Sequence, residues 1–377
     1  HGVAIKPGHP VILGIVSRKP VIGIPGYPVS AITTSELFVK PIIEKALGVQ
    51  TVSRHKVKAR LTRKLVSQFG NDEFIRLRLA RISGDLVATA IQRGAGVIMS
   101  LVEADGITKI PKLSEGIDSG SDIEVELIKH IDEINNTLVM VGSHDLTIDI
   151  LSNLLKKQTL KSKITSSNIG SIAGLIALSK GEAHIAGCHL LEPITGNYNL
   201  DYVKKHIPKI PVSIITLVHR DQGLIVEDGN PLNITSIADL TKEDVRYVNR
   251  QRGAGTRVLL DYELSKNRIT SDQVNGYTKE EYTHLAVAAA IKSRTVNVGL
   301  GIKSAAITMG LGFIPIVKER FDLVIPSDQI EIEPIKTMLE IIRSEQFKIE
   351  VNALGGYDTK ESGDLVCKLS EPVNNND

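Results

Sequence analysis

The sequence has no tryptophan, and only four methionines and two cysteines, Cys188 and Cys367, among 377 residues. Two thiols are too few for a disulfide framework, and no basic stretch followed by a short apolar one opens the chain. Secretion is therefore not expected, and a reducing cytoplasm fits. Aromatic residues make up 4%, which leaves few platforms for stacking unpaired bases. An excess of one charge is missing too. The 45 Lys and Arg against 43 Asp and Glu leave +2, so no global field holds a polyanion, and nucleic acid is excluded as the first choice of partner. No apolar run is long enough to cross a bilayer, and mean hydropathy is +0.03, which argues against a membrane protein.

What is present is globular: 42% hydrophobic and 23% charged residues. At roughly 150 residues per domain, the length predicts two to three domains. Residues 1–53 alternate β-rich runs, Val11 to Val16 and Val21 to Ile24, with Gly/Pro turns, and then show helical spacing from Val29 to Leu47. The opening Gly2-Val3-Ala4-Ile5 reads as the middle of a strand, so upstream sequence is expected. Residues 54–130 read as strands without a helix, at Val57 to Leu61, Phe74 to Ile82, Leu86 to Ala90, Val97 to Glu103 and Ile123 to Ile128, as in a small β-barrel. The polar stretch His130 to Thr137 reads as a linker. Residues 137–358 alternate strands and helices, which predicts an α/β sheet covered on both faces. Within them the last helix is capped by Ser344 and stops at Gly355-Gly356. Beyond Ser370 the Pro/Asn-rich tail reads as disordered.

Three loops of the last region share one arrangement, in which a strand ends in small polar residues and a helix begins. They are Gly142-Ser143-His144-Asp145, Ser166 to Ser171, and Arg250 to Arg257. Helix starts carry unpaired N–H groups and the positive end of a dipole, so three converging on one cleft bind an oxyanion without a metal. The third loop is the most specific, because Gly253 and Gly255 allow close backbone approach, Thr256 offers a hydroxyl, and Arg250, Arg252 and Arg257 supply forked donors. Taken singly, Ser143, Ser171 and Thr256 also read as ordinary N-caps. His144 is placed to donate to the anion and Asp145 to cap its helix. His184, Cys188 and His189 carry metal-ligand chemistry, but neighbours on one strand point to opposite faces, so no metal site is expected. Cys188 is read as core and His189 as facing the cleft. Glu280-Glu281 reads as a solvated helix start.

Gly142 to Asp145, Ala186 to Leu191, Asn249 to Arg257 and Gly276-Tyr277 with His284 resemble the periplasmic-binding-protein-like domain of molybdate- and tungstate-binding proteins and LysR effector domains. The resemblance implies a type II fold of two α/β lobes, lobe 1 being 137–217 and 324–358 and lobe 2 being 218–323. The chain would cross between them near Leu217 to Arg220 and Phe321 to Val324. The implied oxyanion ligands are Ser143, His144, Gly170, Ser171, Arg250, Arg252, Gly255 and Thr256. A second resemblance lies at Lys6-Pro7-Gly8-His9-Pro10, at Gly23 to Ala31, and at Ser100 to Gly106. These are similar to the molybdopterin molybdotransferase family of the gephyrin E-domain type, with His9 in place of a lysine and Tyr27 in place of an asparagine. It implies that residues 1–53 are the end of an α/β domain and 54–130 its β-barrel, with Lys6, Gly8, Pro25, Gly26 and Ser30 beside the pterin phosphate. Read without the family, the Pro25-Gly26 corner is a rigid loop whose Ser30 caps the next helix.

Together the two resemblances imply a cytoplasmic molybdenum or tungsten cofactor biosynthesis protein in which a domain capturing molybdate or tungstate is fused to a transferase module. Adenylylated molybdopterin is the implied substrate. Mg2+ in a longer protein and a homodimer formed through the first modules are also implied. This chain alone is not expected to catalyse insertion. The alternative is a cytoplasmic small-anion sensor without catalysis.

Overall fold

A computed structural model describes residues 2–49, 53–91, 94, 96–159, 162–192 and 195–370. The tail read as disordered, 371–377, lies outside the described residues. His1–Thr137 and Leu138–Asp377 form two separate units.

In the first unit, β1 (Ile5–Lys6), β2 (Ile12–Val16) and β3 (Lys19–Gly23) precede α1 (Pro28–Thr34) and α2 (Lys40–Leu47), which are joined by a π-helical turn at Ser35–Val39. Pro28 suits the first turn of α1, where its missing N–H would find no helical partner anyway. The later strands are β4 (Lys56–Leu61), β5 (Leu65–Val66), β6 (Asp72–Ile82), β7 (Asp85–Ala90), β8 (Gly106–Ile110), β9 (Gly116–Ile117) and β10 (Asp122–Leu127). Five of them close into a barrel in the order β6-β7-β4-β10-β8, with β8 returning to β6. On β10 the pattern of period two is plain: Ile123, Val125 and Leu127 are buried while Asp122, Glu124 and Glu126 are exposed.

Two expectations fail here. Val97 to Glu103 is not a strand but contains the short helix α3 (Met99–Glu103). Ile98, Met99 and Val102 lie on the surface, so the apolar residues that suggested a strand do not line a sheet face. Nor is His130 to Thr137 an unstructured linker. It forms α4 (Ile131–Asn135), whose Ile134 is fully buried in the barrel core, and Asn135 accepts a hydrogen bond from Arg81 at 2.9 Å. One well-placed apolar side chain is enough to dock so short a helix.

The second unit runs β11 (Thr137–Gly142), α5 (Leu146–Gln158), β12 (Lys163–Asn168), α6 (Ser171–Ser179), β13 (Ile185–Cys188), α7 (Leu200–His206) and β14 (Val212–Val226). It continues with β15 (Tyr247–Arg250), α8 (Gly255–Lys266), β16 (Glu280–Glu281), α9 (His284–Lys292), β17 (Val298–Ile302), α10 (Lys303–Met309) and β18 (Gly312–Pro326). The final elements are α11 (Glu333–Arg343), α12 (Glu345–Asn352), β19 (Tyr357–Asp358) and β20 (Leu365–Leu369). The main sheet has the order β12-β11-β13-β18-β14-β17-β15-β16.

Strands β14 and β18 are 15 residues each and pair antiparallel from Val212↔Pro326 to Val226↔Gly312. They serve two lobes. β13 pairs with the Asp322–Val324 end of β18, whereas β17 pairs with the Gln222–Val226 end of β14. Each lobe buries apolar clusters on both faces of its sheet, against α5, α11 and α12 or α6 and α7 in one, and against α8 or α9 and α10 in the other. This is the doubly covered α/β arrangement that the sequence pattern predicts. The segments expected to cross between lobes, Leu217 to Arg220 and Phe321 to Val324, lie inside these two continuous strands.

Glu280-Glu281 is likewise not a helix start. It is strand β16, paired in parallel with Asn249 and Arg250, and Glu280 forms an ion pair with Arg257. The helix begins three residues later, where Thr283 Oγ1 accepts the Ala286 N–H at 3.0 Å.

Docking of α4 gives a direct test. Ile134→Ala is expected to lower the stability of the first unit by about 2–4 kcal/mol, the usual cost of emptying a buried aliphatic site, measured by urea unfolding.

Candidate functional site

In the second unit Arg220 and Gln222 of β14 and Glu319 of β18 are buried. Arg220 is fully buried and donates to Asp145 on one side and to Glu319 Oε2 on the other, at 2.8 Å from Nε. Its guanidinium also lies 4.9 Å from the centre of the Phe321 ring. Glu319 accepts from Gln222 Nε2 at 2.7 Å and pairs with His189 Nδ1 at 2.7 Å, while the His189 ring stacks on Phe321. Burial alone would raise the Glu319 carboxyl, but His189, Arg220 and Gln222 together hold it down at about 2. For Asp145 too, burial is outweighed, by the charge of Arg220 and the bonds from Thr147, and its carboxyl stays below the usual range. Desolvation pushes His189 down.

Around this core the starts of α6 and α8 meet. A Cβ on Gly170 would lie 3.1 Å from Gly253 O, so the two loops approach backbone to backbone, and Gly170 itself has φ +87°. A Cβ on Gly255 would lie 2.5 Å from the His189 ring. Only glycine fits there. Neither helix is capped by a side chain at its start, since the N-cap residues are Gly170 and Ala254. The first helix start differs from expectation. Ser143 does not open α5, because Asp145 is its N-cap and accepts the Thr147 N–H at 2.9 Å. Ser143 Oγ instead lies 2.8 Å from Ser171 Oγ, which also accepts the His189 N–H at 3.3 Å. Within this pair one hydroxyl proton is spent on the other serine and one remains to donate outward. Thr256 Oγ1 accepts from Gln222 Nε2 at 3.2 Å, so its own proton is left to donate.

Arg250 is 5% exposed. Its Nε donates to the Gln251 side chain and to Glu281 O, and one Nη to Tyr282 O at 3.0 Å, while the other, Nη1, has no partner among the described residues. Burial, with Arg220 nearby, lowers it to about 10. It is therefore a buried cation whose partners are all neutral. Asn168 Nδ2 donates to the same Tyr282 carbonyl at 2.9 Å, which joins the end of β12 to the start of α9. Arg252, expected beside Arg250, is exposed. His144 is half-buried, and its Nε2 lies 3.4 Å from the Asp149 carboxylate.

His189 is not at a cleft surface but is 3% exposed inside the charge network. His184 accepts the Val139 N–H at 3.0 Å and Cys188 Sγ donates to Ser171 O at 3.9 Å, so these residues each have a separate partner. Burial, with Asp322 adding to it, raises the Cys188 thiol well above its ordinary value. Among the described residues no three metal-ligating side chains cluster.

The first unit holds a cavity of about 300 Å³ lined by Lys6, Pro7, Gly8, Tyr27 and Ser30 together with Glu73 and Arg76 of β6. Gly8 has φ +115°, and a Cβ there would meet Thr34 Cγ2 at 2.7 Å, so only glycine lets this loop lie against α1. Lys6 Nζ lies 3.9 Å from Glu73. Arg76 is buried, and its Nε has no partner among the described residues. Pro25 and Gly26 are not part of the lining. Ser30 does not cap α1, because it lies inside the helix and Tyr27 is the N-cap. His9 Nδ1 is turned back onto Val3 O at 2.7 Å.

The second unit consists of two α/β lobes sharing a pair of long central strands, the two-lobed arrangement of a type II PBP-like domain, and the first unit adds a small closed barrel. A model of the PBP superfamily domain matches residues 152–343, and one of the MoeA C-terminal region (domain IV) matches residues 58–128. The chain belongs to the PBP superfamily and carries a MoeA domain IV ahead of that domain. It is 34% identical over 230 residues to the uncharacterized protein YvgK of Bacillus subtilis, covering 61% of this chain and 74% of that protein. With a putative molybdopterin biosynthesis protein of Methanocaldococcus jannaschii it shares 35% over 130 residues, which is 34% of this chain and 29% of that one. A molybdopterin biosynthesis MoeA structure from Pyrococcus horikosii is 39% identical, with a TM-score of 0.29, over 34% of this chain and 32% of that chain. The chain thus spans less than a third of the two molybdopterin proteins.

The buried network has a pH signature. Glu319, Asp145 and His189 all have folded values below their ordinary ones, so the unfolded chain binds more protons and stability rises with pH. The Glu319 contribution is complete above its ordinary 4.5 and disappears as pH falls through about 2. Thermal unfolding between pH 7 and 2 is expected to show this loss, and Glu319→Gln to flatten it below pH 4.5. An equally steep acid loss in the variant would contradict the assignment.

Proposed function

We propose that the chain serves molybdenum or tungsten cofactor biosynthesis, its second unit capturing molybdate or tungstate and its MoeA-like unit meeting adenylylated molybdopterin. The observation that carries the anion reading is Arg250, a buried cation with neutral partners and an unpartnered Nη1, beside two helix starts that no side chain caps. Burying such a charge is costly unless an anion completes it. Donors dominate its surroundings: Arg250, one hydroxyl of the Ser143/Ser171 pair, Thr256, and the first N–H groups of α6 and α8. Gly170 and Gly255 make room by bringing the backbone close.

In the first unit, Lys6, Gly8 and Ser30 line the pterin-phosphate site with the buried Arg76 as an added cation, while Pro25 and Gly26 shape the approach to α1. Tethering the two units raises the effective concentration of captured anion at the transferase, to the order of millimolar for a short connection. The setting is cytoplasmic and the assembly a homodimer. Delivery is distinguished from sensing by comparing insertion rates at limiting oxyanion for joined and separated domains of the full-length protein, since equal rates favour sensing.

Calorimetric titration of the chain with molybdate, tungstate, sulfate and phosphate tests the site itself. Arg250→Ala is expected to cost about 1.5–3 kcal/mol, or one to two decades of affinity, because a charge-assisted bond is lost in a buried place. Arg252→Ala, being exposed and solvent-screened, is expected to cost less than about 1 kcal/mol. Undiminished binding in Arg250→Ala would overturn the reading.

A further inference from the structure

His284 is the first residue of α9 and is 6% exposed, and its Nδ1 has no partner among the described residues. It follows directly on Tyr282-Thr283, the turn whose Tyr282 carbonyl receives both Arg250 and Asn168. His284 therefore follows in the chain the turn that receives Arg250, at a helix start outside the eight residues that the resemblance implies for the anion site.

We propose that His284 takes up a proton from solvent when an oxyanion seats against Arg250, so that the site binds its anion together with one H+. This rests on the anion reading of the preceding subsection. In the ligand-free protein the imidazole is neutral. Burial disfavours its charged form, and the groups acting on it most strongly are all cationic or cation-forming: Arg250 of β15, Arg220 of β14, His189 after β13 and His144 after β11. Among the other elements packed on α9, β17 carries no titratable side chain and places Gly301 against Nδ1. The Glu280 carboxylate of β16 is taken by Arg257, and Glu281 reaches Arg250 through its carbonyl. Lys303 at the start of α10 pairs with Asp221, and Glu319 of β18 is held by Arg220 and His189.

A bound dianion reverses this balance. Its charge offsets that of Arg250, the buried cation without a carboxylate partner, and a negative charge nearby favours the charged form of the imidazole. The sign follows from linkage. If the bound form holds more protons, affinity rises as pH falls, by up to tenfold per pH unit between the two values of the imidazole, and it levels off above and below them. With His284 neutral, the empty site holds one buried cation without a carboxylate partner, Arg250, and no second one is added beside it.

The test is calorimetry of the whole chain with molybdate, tungstate and sulfate, none of which takes a proton between pH 6 and 9. It is run in two oxyanion-free buffers of different ionisation enthalpy. The heats are expected to differ between buffers by the equivalent of up to one proton taken up per anion, with affinity strengthening toward pH 6. In His284→Asn the buffer dependence is expected to vanish. Imidazole 15N spectra of the native chain read the same event without a substitution, as one buried ring passing from neutral to charged when molybdate is added. Binding with identical heats in both buffers, or proton uptake that persists in His284→Asn, overturns the proposal and leaves the anion site standing. Absence of binding to all three anions overturns the anion reading, and this proposal with it.

Discussion

A single guanidinium, that of Arg220, holds the second unit together at the point where its two lobes share strands. It is fully buried, with Asp145 at the head of α5 on one side and Glu319 of β18 on the other. Removing one partner from such an arrangement typically costs about 3–5 kcal/mol, because a charge is left without compensation in a dry place. Everything near it is ordered by that demand. Glu319 must accept from Arg220, and its remaining capacity fixes His189 and Gln222. His189 then sets the spacing between the starts of α6 and α8, through its N–H to Ser171 and its ring against Gly255.

This arrangement separates two tasks that are often confused. Arg220 is satisfied by carboxylates and so contributes position, whereas Arg250 is surrounded by carbonyls and an amide and so retains charge to offer. Gln222 ties the Arg220 network to the start of α8 by donating its amide nitrogen to Glu319 and Thr256, which leaves the threonine hydroxyl proton to face elsewhere. The acidic residues of the region are consumed internally. The arginine that lacks a carboxylate is the one whose neighbours are helix starts.

Much of this was legible in the sequence, and what was not has physical causes. Small polar residues between a strand and a helix marked the loops at Gly170 and Gly255 correctly, because backbone approach requires glycine whatever the surroundings. The close spacing of short β-rich runs over residues 54–130 likewise points to the barrel. Arg220, Gln222 and Glu319 escaped notice because a run of polar residues after Val218 looks like the end of a strand. Only the three-dimensional pairing of opposite charges allows β14 to continue through it. Glu280-Glu281 departs from the expected helix start for a related reason: the Glu280 carboxylate pairs with Arg257, 23 residues away, which no local pattern reveals. In the first unit, short helices α3 and α4 were hidden because five residues are too few for a periodicity to show.

The paired strands β14 and β18 bring a mechanical consequence. A ladder that runs from one lobe into the other behaves as a twisted leaf spring rather than a pin joint, stiff against sliding and compliant in torsion. Its ladder is irregular at two places, between Thr216 and Val218 and between Gln222 and Gly223. These bracket the stretch that holds Arg220. Torsion would therefore concentrate on either side of the buried charges and spare the charges themselves, so that the lobes share one elastic element whose stiffest section is clamped by electrostatics.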